Sequence, residues 1–257
     1  MRTLSTRPAA HMEKTHMMQE HEKNLDLEMR TNVPRWVDAQ QSELNWWAHF
    51  RDLPFYRNHS FERHWTERVS AFGINQSDFR GKNIIEVGCG PFGVVSCTFP
   101  ESYKIGIDPL IGRYKDRAAP DERTLLVGSV GESLPIRADS ADLVFCMNVI
   151  DHVMSAQKVM LEIRRILKKS ARLILEVHTF PAIFAPIMMF DHPHTYHWTK
   201  NRLLQLMRDF RFTIDRIDDV KFAVPLALKS RLTPSYWKYI FGNWFMKLTY
   251  ISATRSD

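Results

Sequence analysis

Two periodicities divide the chain. Between residues 83 and 178 short, nearly unbroken apolar runs recur: Ile84 to Val87, Ile105 to Ile107, Leu125 to Val127, Leu143 to Met147 and Leu173 to Val177. Unbroken rather than alternating runs are the mark of strands covered on both faces. They predict strands over Asn83–Val87, Tyr103–Asp108, Thr124–Ser129, Ala141–Val149 and Ala171–His178, with later strands at Thr213–Val220 and Lys247–Arg255. Helical segments separate them. One is expected over Pro91–Pro100. A second opens at Ile150-Asp151-His152-Val153 and carries Val159, Met160, Ile163 and Leu167 at core spacing. A third runs over Lys200–Phe210, capped by Thr199. Strands alternating with helices imply an α/β sheet with helices on both faces.

Ahead of the strands the pattern is purely helical. His16 to Arg30 is polar and helix-permissive. Val37, Leu44, Trp47 and Phe50 fall at helical spacing within Val37–Arg51, with Trp46 widening the stripe; Phe61, Trp65, Val69 and Phe72 share one face of Ser60–Phe72. The expected organisation is a flexible segment over 1–30, a helical cap over 31–80 and a main domain over 81–257 with an aromatic insertion at 222–246.

Composition narrows the class. With 257 residues, 44% hydrophobic and 25% charged, the chain is long enough to bury one large core. Cys89, Cys97 and Cys146 lack metal-ligand spacing, so reduced thiols and a cytoplasmic location are expected. The apolar stretch from Phe180 to Phe190 is too short to span a bilayer and is interrupted by Pro181 and Pro186. A net charge of +6 would tolerate nucleic acid, but no tight basic cluster or stacking motif accompanies it, and no nucleic-acid partner is expected. The first dozen residues, with Arg2 and Arg7 and no amphipathic face, read as a disordered start.

The chemistry centres on the first strand. Gly88-x-Gly90-x-x-Gly93 follows Asn83–Val87 directly and matches the dinucleotide-binding pattern. Glu86 would repel a pyrophosphate there, and Pro91 removes a backbone N–H where a helix start would hold it. A cationic ligand fits better. The acid-x-Gly-x-Gly form resembles the first motif of the class I S-adenosylmethionine-dependent methyltransferases, whose donor carries an ammonium and a sulfonium. Asp108 ends the second strand at the same sheet edge, where it can accept hydrogen bonds from a ribose diol. Gly131-Glu132-Ser133-Leu134-Pro135 resembles the family's loop beneath the adenine, although Val130 stands where many relatives carry an acid.

That resemblance implies a Rossmann-like seven-stranded sheet, mostly parallel with an antiparallel last strand, and S-adenosylmethionine as cofactor. It assigns Glu86, Gly88, Cys89, Gly90, Asp108, Gly131, Glu132 and Asn148 to the donor site. His152, His178 and His197 lie beyond strand or loop ends that should face the cleft, and are the candidate bases for an acceptor that must lose a proton. Asp191, His192, His194 and His197 could chelate a metal, but the family pattern they match occurs without one, and no metal is assigned.

The expected reaction is methyl transfer to an O, N or C atom of a small metabolite or natural product. The rivals are a non-catalytic sensor or scaffold that holds the donor, and an RNA or protein methyltransferase, whose Asn/Asp-Pro-Pro-aromatic motif Asn148-Val149-Ile150-Asp151 does not supply. Trp46, Trp47 and Trp65 from the cap, and Tyr236, Trp237 and Phe241 from the insertion, are expected to roof a bulky acceptor, with Tyr56, Arg57, His59, Lys229 and Arg231 in reach of it. Residues 221–257 carry six Lys/Arg against one acid, so an anionic acceptor, a membrane face or a second subunit of a homodimer could meet that surface.

Overall fold

The computed structural model describes residues 7–52, 59–184, 194–221 and 245–256, with side chains from residue 23 onward except those of Arg51 and Lys221. Tyr56, Arg57, Asp191, His192 and the insertion's Lys229, Arg231, Tyr236, Trp237 and Phe241 lie outside the described residues.

Seven strands form one sheet in the order β3-β2-β1-β4-β5-β7-β6. They are β1 (Asn83–Val87), β2 (Tyr103–Ile107), β3 (Thr124–Val127), β4 (Ala141–Met147), β5 (Leu167–Thr179), β6 (Phe212–Lys221) and β7 (Lys247–Arg255). The pairings among β1 to β5 are parallel, and β7 lies between β5 and β6, antiparallel to both. Alternate residues of each strand feed separate cores. Ile85, Val87, Val144, Cys146, Leu173 and Leu175 join one cluster with α4 (Ala156–Ile166) and α5 (Lys200–Asp209). Ile84, Leu143, Phe145 and Ile174 join the other with Val69 of α2 (Phe61–Ala71) and Val94 and Val95 of α3 (Val94–Cys97). Burial on both faces explains why these strands read as continuous apolar runs. Among the described residues no helix is long and apolar enough to cross a membrane.

Four local expectations are corrected. Arg7–His49 is a single helix, α1, with Pro34 inside it, so the helix starts well before residue 31, where the helical cap was expected to begin. Polar contacts of no hydrophobic period hold it down: Glu28 accepts from Ser155 Oγ at 2.6 Å and from Tyr196 OH at 2.7 Å, and Asn32 Nδ2 donates to Met154 O at 2.8 Å. Next, α3 is one turn starting at Val94 rather than Pro91, because Val94 N and Val95 N are the donors that meet Glu86, and Thr98 is already extended. Residues 150–154 are turns rather than the start of α4. Glu132 Oε1 accepts from Met154 N and Ser155 N, and the Ser155 side chain then caps the helix by accepting from Lys158 N. Finally, Leu167 is buried as its spacing implies but belongs to β5, since it takes extended dihedrals directly after Ile166.

Candidate active site

A cavity of about 210 Å³ opens beyond the carboxyl ends of β1, β2 and β4, the place where open α/β sheets bind ligands. Its floor is the turn after β1. Gly88 N and Cys89 N both donate to Ile107 O, at 2.7 and 3.1 Å, which ties the turn to β2. Gly88 has φ 72°, and a Cβ there would lie 2.1 Å from Val149 Cγ2, so only glycine fits. Gly90, with φ 52°, donates its N–H to Asp108 Oδ2 at 3.0 Å.

Asp108 lines the cavity from the end of β2. Its Oδ1 accepts from Leu110 N at 2.7 Å and Tyr114 OH at 3.2 Å, and burial pushes the carboxyl up to about 6. Each carboxylate oxygen offers two acceptor positions, so Oδ2, which meets only Gly90 N among the described residues, keeps one for a ligand hydroxyl. Val130, Gly131 and Asn148 complete this side. Asn148 is exposed, sits at φ 56° and donates its N–H to Glu176 O at 2.7 Å, so its strained backbone is tied to β5.

Three assignments change meaning in the structure. Glu86 borders the cavity, but its two carboxylate oxygens accept from Val94 N and Val95 N, each at 3.0 Å, and burial raises its pKa to about 8. The acid therefore fastens the turn to α3 instead of standing bare before a cation. Gly93 belongs to the same device, since a Cβ there would lie 2.5 Å from Glu86 Oε2. Cys89 turns its sulfur to the sheet, where a Cβ on Gly106 would lie 2.9 Å from it, and burial pushes the thiol well above its ordinary range. Glu132 spends its Oε1 on Met154 N and Ser155 N, setting the start of α4.

Two of the three candidate bases, His152 and His178, lie near one buried acid, Asp151. His152 lines the cavity, with Nε2 3.9 Å from Asp151 Oδ2 and its ring 4.5 Å from that of His194. His178 stands nearby on β5, where burial lowers its pKa against the opposing pull of Asp151. His197 lies 6.1 Å from His194, ring to ring. Neither His178 nor His197 is among the cavity-lining residues.

The roof comes from the cap. Trp36, Gln40, Glu43 and Trp47 of α1 and Phe61 and Trp65 of α2 line the cavity. Trp47 Nε1 donates to Glu43 Oε1 at 2.7 Å, Trp65 Nε1 donates to Phe92 O at 2.7 Å, and Phe61 stacks on Phe92 at 4.5 Å. Trp46 is 41% exposed and is not part of the lining. A further roof contact, invisible in the sequence, joins Arg68 of α2 to Glu176 of β5. Both are largely buried; burial pushes Glu176 up to about 7 despite its partner, and lowers the pKa of Arg68. A buried acid in the last half of a strand was the one signal that could have found Glu176; its cation, 108 residues away, had none.

Residues 85–175 match the family model described as a methyltransferase domain. No curated protein matches the sequence. Among solved structures the fold is similar to geranyl diphosphate C-methyltransferase of Streptomyces coelicolor A3(2), in complex with Mg2+, geranyl diphosphate and S-adenosyl-L-homocysteine. That likeness has a TM-score of 0.58 at 16% identity and covers 75% of this chain and 81% of that one. It is also similar to the YcgJ protein of Bacillus subtilis, with a TM-score of 0.55 at 15% identity over 73% and 99% of the two chains. A third likeness, to a phosphoethanolamine N-methyltransferase of Haemonchus contortus, has a TM-score of 0.54 at 12% identity over 76% and 53%. Residues 85–175 are thus matched as a methyltransferase domain, and the seven-stranded sheet built around them has the fold of the class I S-adenosylmethionine-dependent methyltransferases.

Proposed function

We propose that the chain moves the methyl group of S-adenosylmethionine to an O, N or C atom of a small metabolite or natural product held beneath α1 and α2. The observation that carries this reading is the aromatic roof of Trp47, Phe61 and Trp65, which lines the same cavity as the glycine turn. A roof of this kind excludes water and suits a compact, partly apolar acceptor rather than a polymer lying across the sheet edge. The solved neighbours that hold geranyl diphosphate or phosphomonomethylethanolamine are consistent with an acceptor of that size.

In this reading Asp108 Oδ2 accepts from the donor's ribose, Gly88 and Gly90 let the methionine portion approach the backbone, Val130 packs against the adenine, and Asn148 stands at the mouth. The bound donor supplies an electrophilic methyl for in-line displacement. The protein's task is to hold the acceptor atom in a near-attack position. Where that atom must lose a proton, His152, which lines the cavity beside Asp151, is the assigned destination, with His178 and His197 behind it off the cavity wall. Two buried thiols, Cys89 and Cys146, and no disulfide among the described residues fit a reducing, cytoplasmic setting.

The test incubates the full chain with methyl-labelled S-adenosylmethionine and separate pools of small metabolites, RNA and protein. Label is expected in a low-mass product; label confined to RNA or protein, or donor binding without transfer to any pool, would overturn the reading.

A further inference from the structure

We infer that Asp151, His152 and His194 form a binding site for a divalent first-row transition cation of the zinc type at the acceptor side of the cavity. One ligand atom from each residue lies within 4.8 Å of the others, and His152 Nε2 and His194 Nε2 are each 3.9 Å from Asp151 Oδ2. In a tetrahedral zinc site with bonds of about 2.0–2.2 Å the ligand atoms stand roughly 3.3 Å apart, so each imidazole nitrogen is about half an ångström beyond the ligand spacing from Asp151 Oδ2, within reach of a ring rotation. A second observation points to a ligand. Asp151 is 3% exposed, and its Oδ1 has no hydrogen-bond partner among the described residues, which is costly for a buried carboxylate unless a cation or donor meets it.

The backbone holds these residues together across more than forty positions of sequence. Thr195 N and Tyr196 N both donate to Asp151 O, at 2.8 and 3.0 Å, which pins the His194 loop beside the turn after β4, and His152 N donates to Val149 O at 2.8 Å. Two neutral imidazoles and one carboxylate select zinc, cobalt or iron(II) over magnesium or calcium, which take oxygen ligands. His152 lines the cavity, so a coordination position left open by three protein ligands faces the acceptor space. On the methyl-transfer reading, an acceptor hydroxyl there would coordinate the cation, which would lower the hydroxyl's pKa so that its proton leaves to water rather than to His152, whose Nε2 the cation would hold.

The test needs neither donor nor acceptor, so it fails or succeeds separately from the methyl-transfer reading. Full-chain protein without an affinity tag, stripped with chelator, is titrated with Zn2+ and with Co2+ by calorimetry, and the cobalt form is examined by visible absorption. One cation per chain is expected, with a visible cobalt band, no competition from excess Mg2+, and at least tenfold weaker binding in each of Asp151→Asn, His152→Ala and His194→Ala. His49→Ala, remote on α1, should bind as the unaltered chain does. His194→Ala lies on a loop and guards against misfolding of the Asp151 variant, with circular dichroism as the check. No binding of either cation, or binding that all three folded variants retain, would overturn the inference.

Discussion

Replacing Arg68 by methionine should destabilise the protein in a pH-dependent way. Arg68 is the cation facing Glu176, and it also lies 5.4 Å over the ring of Trp65 and 4.9 Å over that of Tyr250. Burial has already pushed Glu176 from 4.5 to about 7 in spite of Arg68. A carboxyl raised in the folded state contributes stability that is full below its unfolded pKa and is lost as pH climbs through its folded one. In the native chain that loss is complete a little above pH 7 and amounts to about 3 kcal/mol at 1.36 kcal/mol per unit. Without the guanidinium, the folded pKa of Glu176 rises further and the loss continues. The two stability curves should therefore run parallel below pH 7, offset only by about 1 kcal/mol for the lost ring contacts. By pH 9 they should have separated by about 3 kcal/mol more, within the usual cost of breaking a buried ion pair. Urea unfolding at pH 6 and pH 9, followed by circular dichroism, measures both. The double variant Arg68→Met/Glu176→Gln removes the stranded charge and should recover most of the pH 9 loss. Equal losses at the two pH values, or a double variant as unstable as the single one, would refute the reasoning.

Three further outcomes are expected. Gly88→Ala places a Cβ at φ 72° against Val149 and should cost about 2–5 kcal/mol in urea unfolding. Adding Val149→Ala should return the packing part but not the dihedral part, and an unimpaired Gly88→Ala would contradict the turn geometry. Because burial raises Asp108 to about 6, protons compete with the ribose below that value. Donor affinity measured by calorimetry should then fall by up to about tenfold per unit as pH drops below 6, where a flat profile would count against it. Trp65→Ala should raise the acceptor KM at least about tenfold while leaving S-adenosylhomocysteine affinity within about threefold, and equal losses on both would move Trp65 out of the roof.

The central sheet was legible because burial on both faces leaves a continuous apolar signature, and β1 and β7 lie at the residues expected of them. The glycine turn was legible for a steric reason that the structure repeats at Gly88. What could not be read were contacts without a period. Glu28, Asn32 and Asp26 dock α1 on the start of α4 through polar atoms spaced 122 to 168 residues from their partners, so a helix that looked free is held. Glu86 and Glu132 stood in motif positions, yet each also spends carboxylate oxygens on helix-starting N–H groups, a use that residue type and spacing do not reveal. His194 was grouped with Asp191, His192 and His197 by proximity in sequence. The chain instead brings it to Asp151 and His152 through the two hydrogen bonds on Asp151 O.

The account rests on the donor lying between the turn after β1 and Asp108. Titrating S-adenosylhomocysteine into the native chain and into Asp108→Asn, which keeps the shape of the side chain and removes its charge, tests this most directly. One ligand per native chain and at least about tenfold weaker binding to the folded variant, or about 1.4 kcal/mol, is the predicted result. Equal affinity in the two proteins, or no binding to the native chain, would contradict it.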